Sequence, residues 1–238
     1  MPRLNQFSEN IWVLDGDLVN FLGFPYPTRS VLVKLPSGDL WVWSPVALSG
    51  QLESELRGIG KVKHLVSPNK FHHLYLRDWS EAYPDALLWG PESTINKKRG
   101  LFFQEALKDK PPTFWEGSLE QYWMNGSFFV DEVVFFHRDS KTVIFADMAQ
   151  NFSTDFLKKY WTWWQRKVAL ILGVVEPNGS APLEVRLSWL RKQKDRAKLR
   201  RILDQIPENV IVAHGEIQKG TGLTYLKESF QWLLGTQY

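Results

Sequence analysis

Short apolar runs of period two, punctuated by Gly, Pro, Asn and Asp, fill the first half of the chain. Asn10-Ile-Trp-Val-Leu-Asp15 reads as a strand ending at the Gly16–Asp17 turn. Ser30-Val-Leu-Val-Lys-Leu35 alternates and meets Pro36-Ser-Gly-Asp39, after which Leu40-Trp-Val-Trp43 resumes, so residues 30–43 predict a hairpin. Leu52–Arg57 has the spacing of a short amphipathic helix stopped by Gly58 and Gly60, and Lys61–Val66 is a further strand. Residues 74–83 suit a helix, Ala86–Trp89 a strand and Gly100–Lys108 a helix. Val130–His137 and Thr142–Ala146 flank the turn Arg138-Asp-Ser-Lys141, and both runs are rich in Val and Phe, as buried strands are. Beyond Asp147 the pattern turns helical over 154–175 and 190–205. A last strand spans Asn209–Ala213 and a last helix Leu223–Leu234. Strands in two groups with helices between and after them predict a layered α/β or α+β sandwich.

Composition narrows the chemistry more than the fold. The 238 residues are 44% hydrophobic and 23% charged, enough apolar material for a full core, with a formal net charge of +3. That mild excess argues against a dedicated nucleic-acid coat. The chain has no cysteine, which excludes disulfides, a thiol nucleophile and any Cys-ligated metal. Five histidines remain: His64, His72, His73, His137 and His214. Met1, Pro2 and Arg3 lead into polar residues with no apolar run of signal type, and the longest apolar run, Val168–Val175, is eight residues, against about 20 for a spanning helix. A cytoplasmic protein is expected.

Three apolar strands each lead to a residue of metal-ligand type. Val66 precedes the loop holding His72 and His73, Ala146 precedes Asp147, and Ala213 precedes His214. Strand ends on one sheet edge are where α/β folds build their sites. Each residue also has a plain reading: a histidine pair in a loop is commonly structural, and an Asp after a strand commonly caps a helix, although Ser153 and Thr154 can do that here. Gly215 after His214 lets the backbone turn and aim the imidazole. Imidazole and carboxylate together are the ligand set of zinc, iron and manganese when Cys is absent. His137 reads as a strand-end histidine capping its turn, and His64 as a surface residue or one behind the site.

Leu40-Trp-Val-Trp-Ser-Pro45, Val66-Ser-Pro-Asn-Lys-Phe-His-His-Leu74, Asp131–His137 and Val212-Ala-His-Gly215 are similar to one uncharacterised branch of the metallo-β-lactamase fold superfamily, the domain of unknown function 4336 family. The resemblance covers roughly residues 10 to 234. It implies a single domain over 1–238, an αββα sandwich of two mixed sheets with outer helices. The superfamily's metal loop normally reads His-x-His-x-Asp-His; aligned on it, Pro68 and Lys70 stand where the first two histidines would be. The third ligand of that first site would fall near 126–129, Gly-Ser-Phe-Phe. The resemblance therefore implies one dismantled site and one surviving site of His72, His73, Asp147 and His214, holding one divalent transition metal, zinc or iron.

The function implied is a metal-dependent hydrolase with a degenerate, mononuclear site acting on a small molecule, with Asp147 and Lys70 as catalytic candidates. Lys70 would contact an anionic substrate or replace the missing metal's charge. The alternatives are a binding or scaffold protein that kept the fold without the chemistry, and an iron-dependent redox protein. The segment Lys158–Lys167 carries Tyr160, Trp161, Trp163 and Trp164, spread over about 160° of a helix. That face is expected to line a substrate pocket or pack as a lid; contact with a membrane surface through Trp161, Trp163 and Trp164 is the sharper alternative. Arg186–Arg201 holds eight Lys or Arg against one acid, Asp195, and reads as a solvated face, with no nucleic-acid partner expected.

Overall fold

In the computed structural model, which describes residues 4–235, the first half of the chain builds a mixed seven-stranded sheet. Its strands β1 (Leu4–Ser8), β2 (Ile11–Phe21), β3 (Phe24–Lys34), β4 (Asp39–Trp43), β5 (Lys61–Val66), β6 (Leu87–Gly90) and β7 (Phe103–Ala106) lie side by side in chain order. Pairing is antiparallel from β1 to β4 and parallel from β4 to β7. Helices α1 (Gly50–Ile59), α2 (Leu76–Ala82) and α3 (Glu92–Lys97) make the crossovers that parallel strands require. The second sheet holds β8 (Leu119–Met124), β9 (Glu132–His137), β10 (Thr142–Asn151), β11 (Asn209–Gly215) and β12 (Gln218–Lys219), in the order β12-β11-β10-β9-β8. Between β10 and β11, which are parallel, run α4 (Thr154–Tyr160), α5 (Trp163–Leu172), α6 (Leu183–Ser188) and α7 (Lys192–Asp204). Helices α8 (Gly222–Ser229) and α9 (Gln231–Leu234) follow β12.

The period-two pattern sorts residues into layers. Val31, Val33, Trp41 and Trp43 of the first sheet meet Val133, Phe135, Ile144 and Ile211 of the second in one buried cluster between the sheets. Their neighbours point outward: Leu32, Leu40 and Val42 pack with Leu52, Leu56 and Trp79 of α1 and α2. Val134, Phe136, Phe145 and Val212 pack with Leu199, Ile202, Leu226 and Phe230 of α7, α8 and the α8–α9 junction. Both faces of each central strand are buried, which is why the Val and Phe runs are nearly continuous. The result is the αββα sandwich that the sequence implies. No helix among the described residues is long and apolar enough to cross a membrane.

The hairpin at 30–43 stands as expected, with Val31 opposite Trp43 and Lys34 opposite Leu40. Elsewhere tertiary pairing redraws the pattern. β2 does not stop at Gly16; it bulges between Asp15 and Leu18 and runs on to Phe21. A Cβ on Gly16 would lie 2.4 Å from Thr28 Oγ1, so that glycine serves close packing rather than a turn. Residues 100–108 are not helical: Phe103 is buried opposite Leu88 while Phe102 is 84% exposed, an alternation that makes β7. The helix predicted over 154–175 breaks at Trp161, whose backbone is extended; Thr162 and Gln165 then form a capping box for α5, and Gly173 caps its end in the left-handed region. The last helix likewise breaks at Phe230. The sequence-based reading of Met1–Arg3 lies outside the described residues.

His137 caps its turn, with Nδ1 2.7 Å from Ser140 Oγ. His64 is not at the surface. It is 3% exposed among the rings of Trp89, Phe114 and Trp115, and Trp89 Nε1 donates to its Nδ1 at 3.3 Å. Burial pushes its pKa down to about 4 from 6.5, with a smaller opposing pull from Asp39. A histidine held neutral in the fold contributes stability that is full above pH 6.5 and is lost as pH falls from there through about 4. The total is on the order of 3 kcal/mol. In His64→Gln, whose amide oxygen still accepts from Trp89, urea unfolding should show a flatter dependence over that window; identical slopes for both proteins would refute the assignment.

Candidate metal centre

The segment after β5 is built by two buried side chains. Ser67 Oγ donates to the carbonyls of Asn69 and His72 at 2.8 Å, and Asn69 Oδ1 accepts from the Phe71 and His72 amides at 2.8 and 3.3 Å. The Pro68 carbonyl accepts from Val133 N, which ties this loop to β9. The loop thereby turns His72 toward the end of β4, where Ser44 Oγ lies 2.8 Å from its Nδ1.

Asp147 sits where the β10–β11 ladder is interrupted, between the pairs Phe145–Val212 and Gln150–His214. The amides of Ala146, Asp147 and Met148 instead donate to the carboxylate of Glu132 at 2.8, 2.7 and 3.1 Å. Glu132 is fully buried, and Asn69 Nδ2 also points at it from 3.3 Å. Burial and the Asp147 carboxylate push the Glu132 carboxyl up to about 7, and the amide donors oppose the rise. Glu132 did not stand out in the sequence. Its one signal is an acid inside an otherwise Val- and Phe-rich strand, which, if buried, demands partners.

β11 brings His214. Arg29 of β3 donates through Nη1 to the carbonyls of Val212 and Gly215 at 2.6 and 2.7 Å, clasping the strand end on both sides of the histidine. Gly215 has φ of +108°, and a Cβ there would lie 2.1 Å from the Asn151 carbonyl oxygen, so only glycine fits. His214 Nδ1 lies 2.8 Å from the Pro27 carbonyl. A carbonyl only accepts, so Nδ1 carries a proton here, and Nε2 is the ring atom turned toward Asp147.

The structure thus brings His72, Asp147 and His214 together: one ligand atom from each lies within 4.8 Å of the others. Asp147 Oδ2 faces His72 Nε2 at 3.4 Å and Oδ1 faces His214 Nε2 at 3.5 Å. Asn69 Nδ2 donates to Oδ2 at 2.8 Å, Gln150 Nε2 to Oδ1 at 3.4 Å, and Tyr26 OH to Gln150 Oε1 at 3.2 Å. Burial alone would raise the Asp147 carboxyl; the charge of His72 and hydrogen bonds from His214 and His72 outweigh it and hold the group well below the usual carboxylate range. Two imidazoles oriented by partners on their other nitrogen, around a carboxylate that stays ionised, suit a divalent transition metal.

The other expected residues are placed differently. His73 lines the same cavity but does not join the cluster; its Nδ1 is buried without a hydrogen-bond partner, and burial, with Lys98 and Lys97, pushes its pKa down to about 4. Lys70 does not line that cavity. Its ammonium donates to the Phe129 carbonyl and lies over the rings of Phe71 and Phe129, at 5.4 and 5.1 Å. Trp161, Trp163 and Trp164 do not line it either, which corrects the expectation of an aromatic helix at the pocket. Trp161 is buried and donates to the Pro25 carbonyl, so it supports the hairpin that carries Tyr26 from behind. The wall of the cavity, about 290 Å³, comes instead from Phe21, Tyr26, Phe71 and Tyr75, with Lys97 among its lining residues.

Glu132→Ala would strand three buried amides and open a cavity, so destabilisation of more than about 3 kcal/mol, or failure to fold, is expected from urea titration. Glu132→Gln keeps an acceptor and should cost less. Near-neutral Glu132→Ala would mean the carboxylate does not hold this segment.

Among solved structures the chain is similar to the DIM-1 metallo-β-lactamase, with 18% identity and TM-score 0.65 over 96% of this chain and 95% of that one. It is similar to FIM-1 from Pseudomonas aeruginosa in its mono-zinc form, with 10% identity and TM-score 0.63 over 98% and 94%. The metal-soaked Flv1 flavodiiron core from Synechocystis sp. matches at 11% identity and TM-score 0.64, over 98% of this chain and 60% of that one. At such identities these likenesses establish the fold alone. No curated protein matches the sequence. The profile of DUF4336, a domain of unknown function, matches residues 8–159, and the chain belongs to that family.

Proposed function

We propose that this protein is a metal-dependent hydrolase of a small molecule, using one divalent ion, zinc or iron, held by His72, Asp147 and His214. The observation that carries this reading is the convergence of three oriented donors from separate elements on the wall of one cavity. Two fold neighbours, one in a mono-zinc form and one metal-soaked, support it by analogy. A bound ion would supply Lewis acidity and lower the pKa of a coordinated water. The chain's own residues supply the rest. Ser44 and the Pro27 carbonyl fix the two imidazoles, and Asn69 and Gln150 hold the carboxylate oxygens. Phe21, Tyr26 and Phe71 give an apolar wall that excludes water, and Lys97 offers a cation to an anionic group on the substrate. A single ion is proposed because Pro68 and Lys70 stand where a first site would be, and both are engaged elsewhere: the Pro68 carbonyl with β9 and the Lys70 ammonium with the Phe129 carbonyl.

One observation favours a second reading, a scaffold without chemistry. Both Asp147 oxygens already face imidazole nitrogens at 3.4 and 3.5 Å, so the three side chains can satisfy one another without an ion. Metal analysis of purified protein after equilibration with zinc or iron(II) separates the two. One equivalent per chain is expected, lost in His72→Ala, Asp147→Ala and His214→Ala and retained in His73→Ala; hydrolysis of chromogenic ester, amide or phosphodiester probes should cease on chelation. Zero uptake by the unaltered protein would favour the scaffold, and two equivalents would sink the mononuclear site.

A further inference from the structure

Helix α5 is amphipathic in the opposite sense to one that only packs on its own core. Its buried residues are Gln165 and Ala169, whereas Trp163 is 65% exposed, Leu170 66%, Ile171 69% and Trp164 47%. At about 100° per residue these four and the exposed Lys167 fall within about 120° of arc, so they form one continuous face. Gln165 donates to the Gly23 carbonyl at 3.0 Å and Trp164 packs on Phe24 at 5.5 Å, which sets the β2–β3 tip beside the helix; there Leu22 is 84% exposed. Scattered exposed apolar residues are ordinary on a protein surface, but a contiguous apolar helix face marks a contact site.

Charge and shape select the occupant. Residues 154–172 carry four bases, Lys158, Lys159, Arg166 and Lys167, and one acid, Asp155, already 3.7 Å from Lys158. The Lys167 ammonium lies over the Trp163 ring at 5.2 Å on the α5 face, and on the preceding helix that of Lys159 lies over Tyr160 at 4.9 Å. Tryptophan prefers the level of lipid headgroups, and lysine and arginine beside it are drawn to anionic ones. The face is the outside of a helix rather than a groove, and a lipid surface demands no complementary shape. We infer that α5 docks this protein reversibly on an anionic lipid bilayer, with Trp163, Trp164, Leu170 and Ile171 entering the headgroup–acyl boundary and the four bases meeting anionic headgroups.

Co-sedimentation of the full chain with vesicles tests this, comparing phosphatidylcholine alone with an equal mixture of phosphatidylcholine and phosphatidylglycerol. Binding should favour the mixed vesicles and weaken as salt rises to about 0.5 M. Trp163→Ser/Leu170→Ser/Ile171→Ser should lower the partition coefficient at least roughly tenfold. Lys158→Gln/Lys159→Gln/Lys167→Gln should abolish the preference for the anionic mixture. All six side chains are exposed, so circular dichroism should report an unchanged fold; single Ile171→Glu replaces the apolar triple, and single Lys167→Gln the basic one, if either misfolds. Absence of binding to mixed vesicles at low salt, or binding that survives the apolar substitutions, would overturn the proposal. A dimer that these substitutions convert to monomer would assign the face to a second copy and overturn it equally.

Discussion

Three successive amides of β10 lie where its pairing with β11 is interrupted and converge on one buried carboxylate. Amides that deep cannot go unpaired without a penalty of a few kcal/mol in all, and Glu132 on the neighbouring strand takes all three. The interruption in the ladder that presents Asp147 is therefore a paired, stable conformation. Because Asn69 donates to both Glu132 and Asp147, the loop carrying His72 hangs from the same group. Two of the three clustered residues owe their placement to a side chain that touches neither imidazole within hydrogen-bonding distance.

The third comes from the opposite direction. β3 belongs to the first sheet, yet its Arg29, Pro27 and Tyr26 grip the end of β11 in the second: Arg29 through two carbonyls, Pro27 through His214 Nδ1, and Tyr26 edge-on to the imidazole at 5.0 Å. The cluster thus lies at an edge where both sheets contribute, and its geometry is only as fixed as the packing between them. Trp41, Trp43, Phe135 and Ile144, all fully buried there, supply that packing.

The layers were legible because alternation at 30–43 and the Val- and Phe-rich runs at 130–146 report burial on both sheet faces. The motif-bearing loop, Asp147 and His214 were legible as ligand types at strand ends. What escaped had no local signature. Residues 100–108 carry helix-compatible composition, and only pairing with β6 makes a strand of them. The helix break at Trp161 depends on its indole reaching the Pro25 carbonyl, a contact remote in sequence. Glu132 offered only the faint signal of an acid within a Val- and Phe-rich strand, and Lys70, attractive beside two histidines, instead donates to the Phe129 carbonyl and lies over two phenyl rings.

The contacts that complete the cluster join distant parts of the chain: His214 and Pro27 are 187 positions apart, and Arg29 and Val212 are 183 apart. Loop closure of that span is costly until most of both sheets exists. During synthesis, a chain that has emerged as far as β10 has His72 and Asp147 but neither His214 nor the strand whose carbonyls Arg29 clasps. Any ion this cluster takes is therefore taken by a finished fold, and its identity answers to what is available then, rather than to a metal that steered the polypeptide into shape.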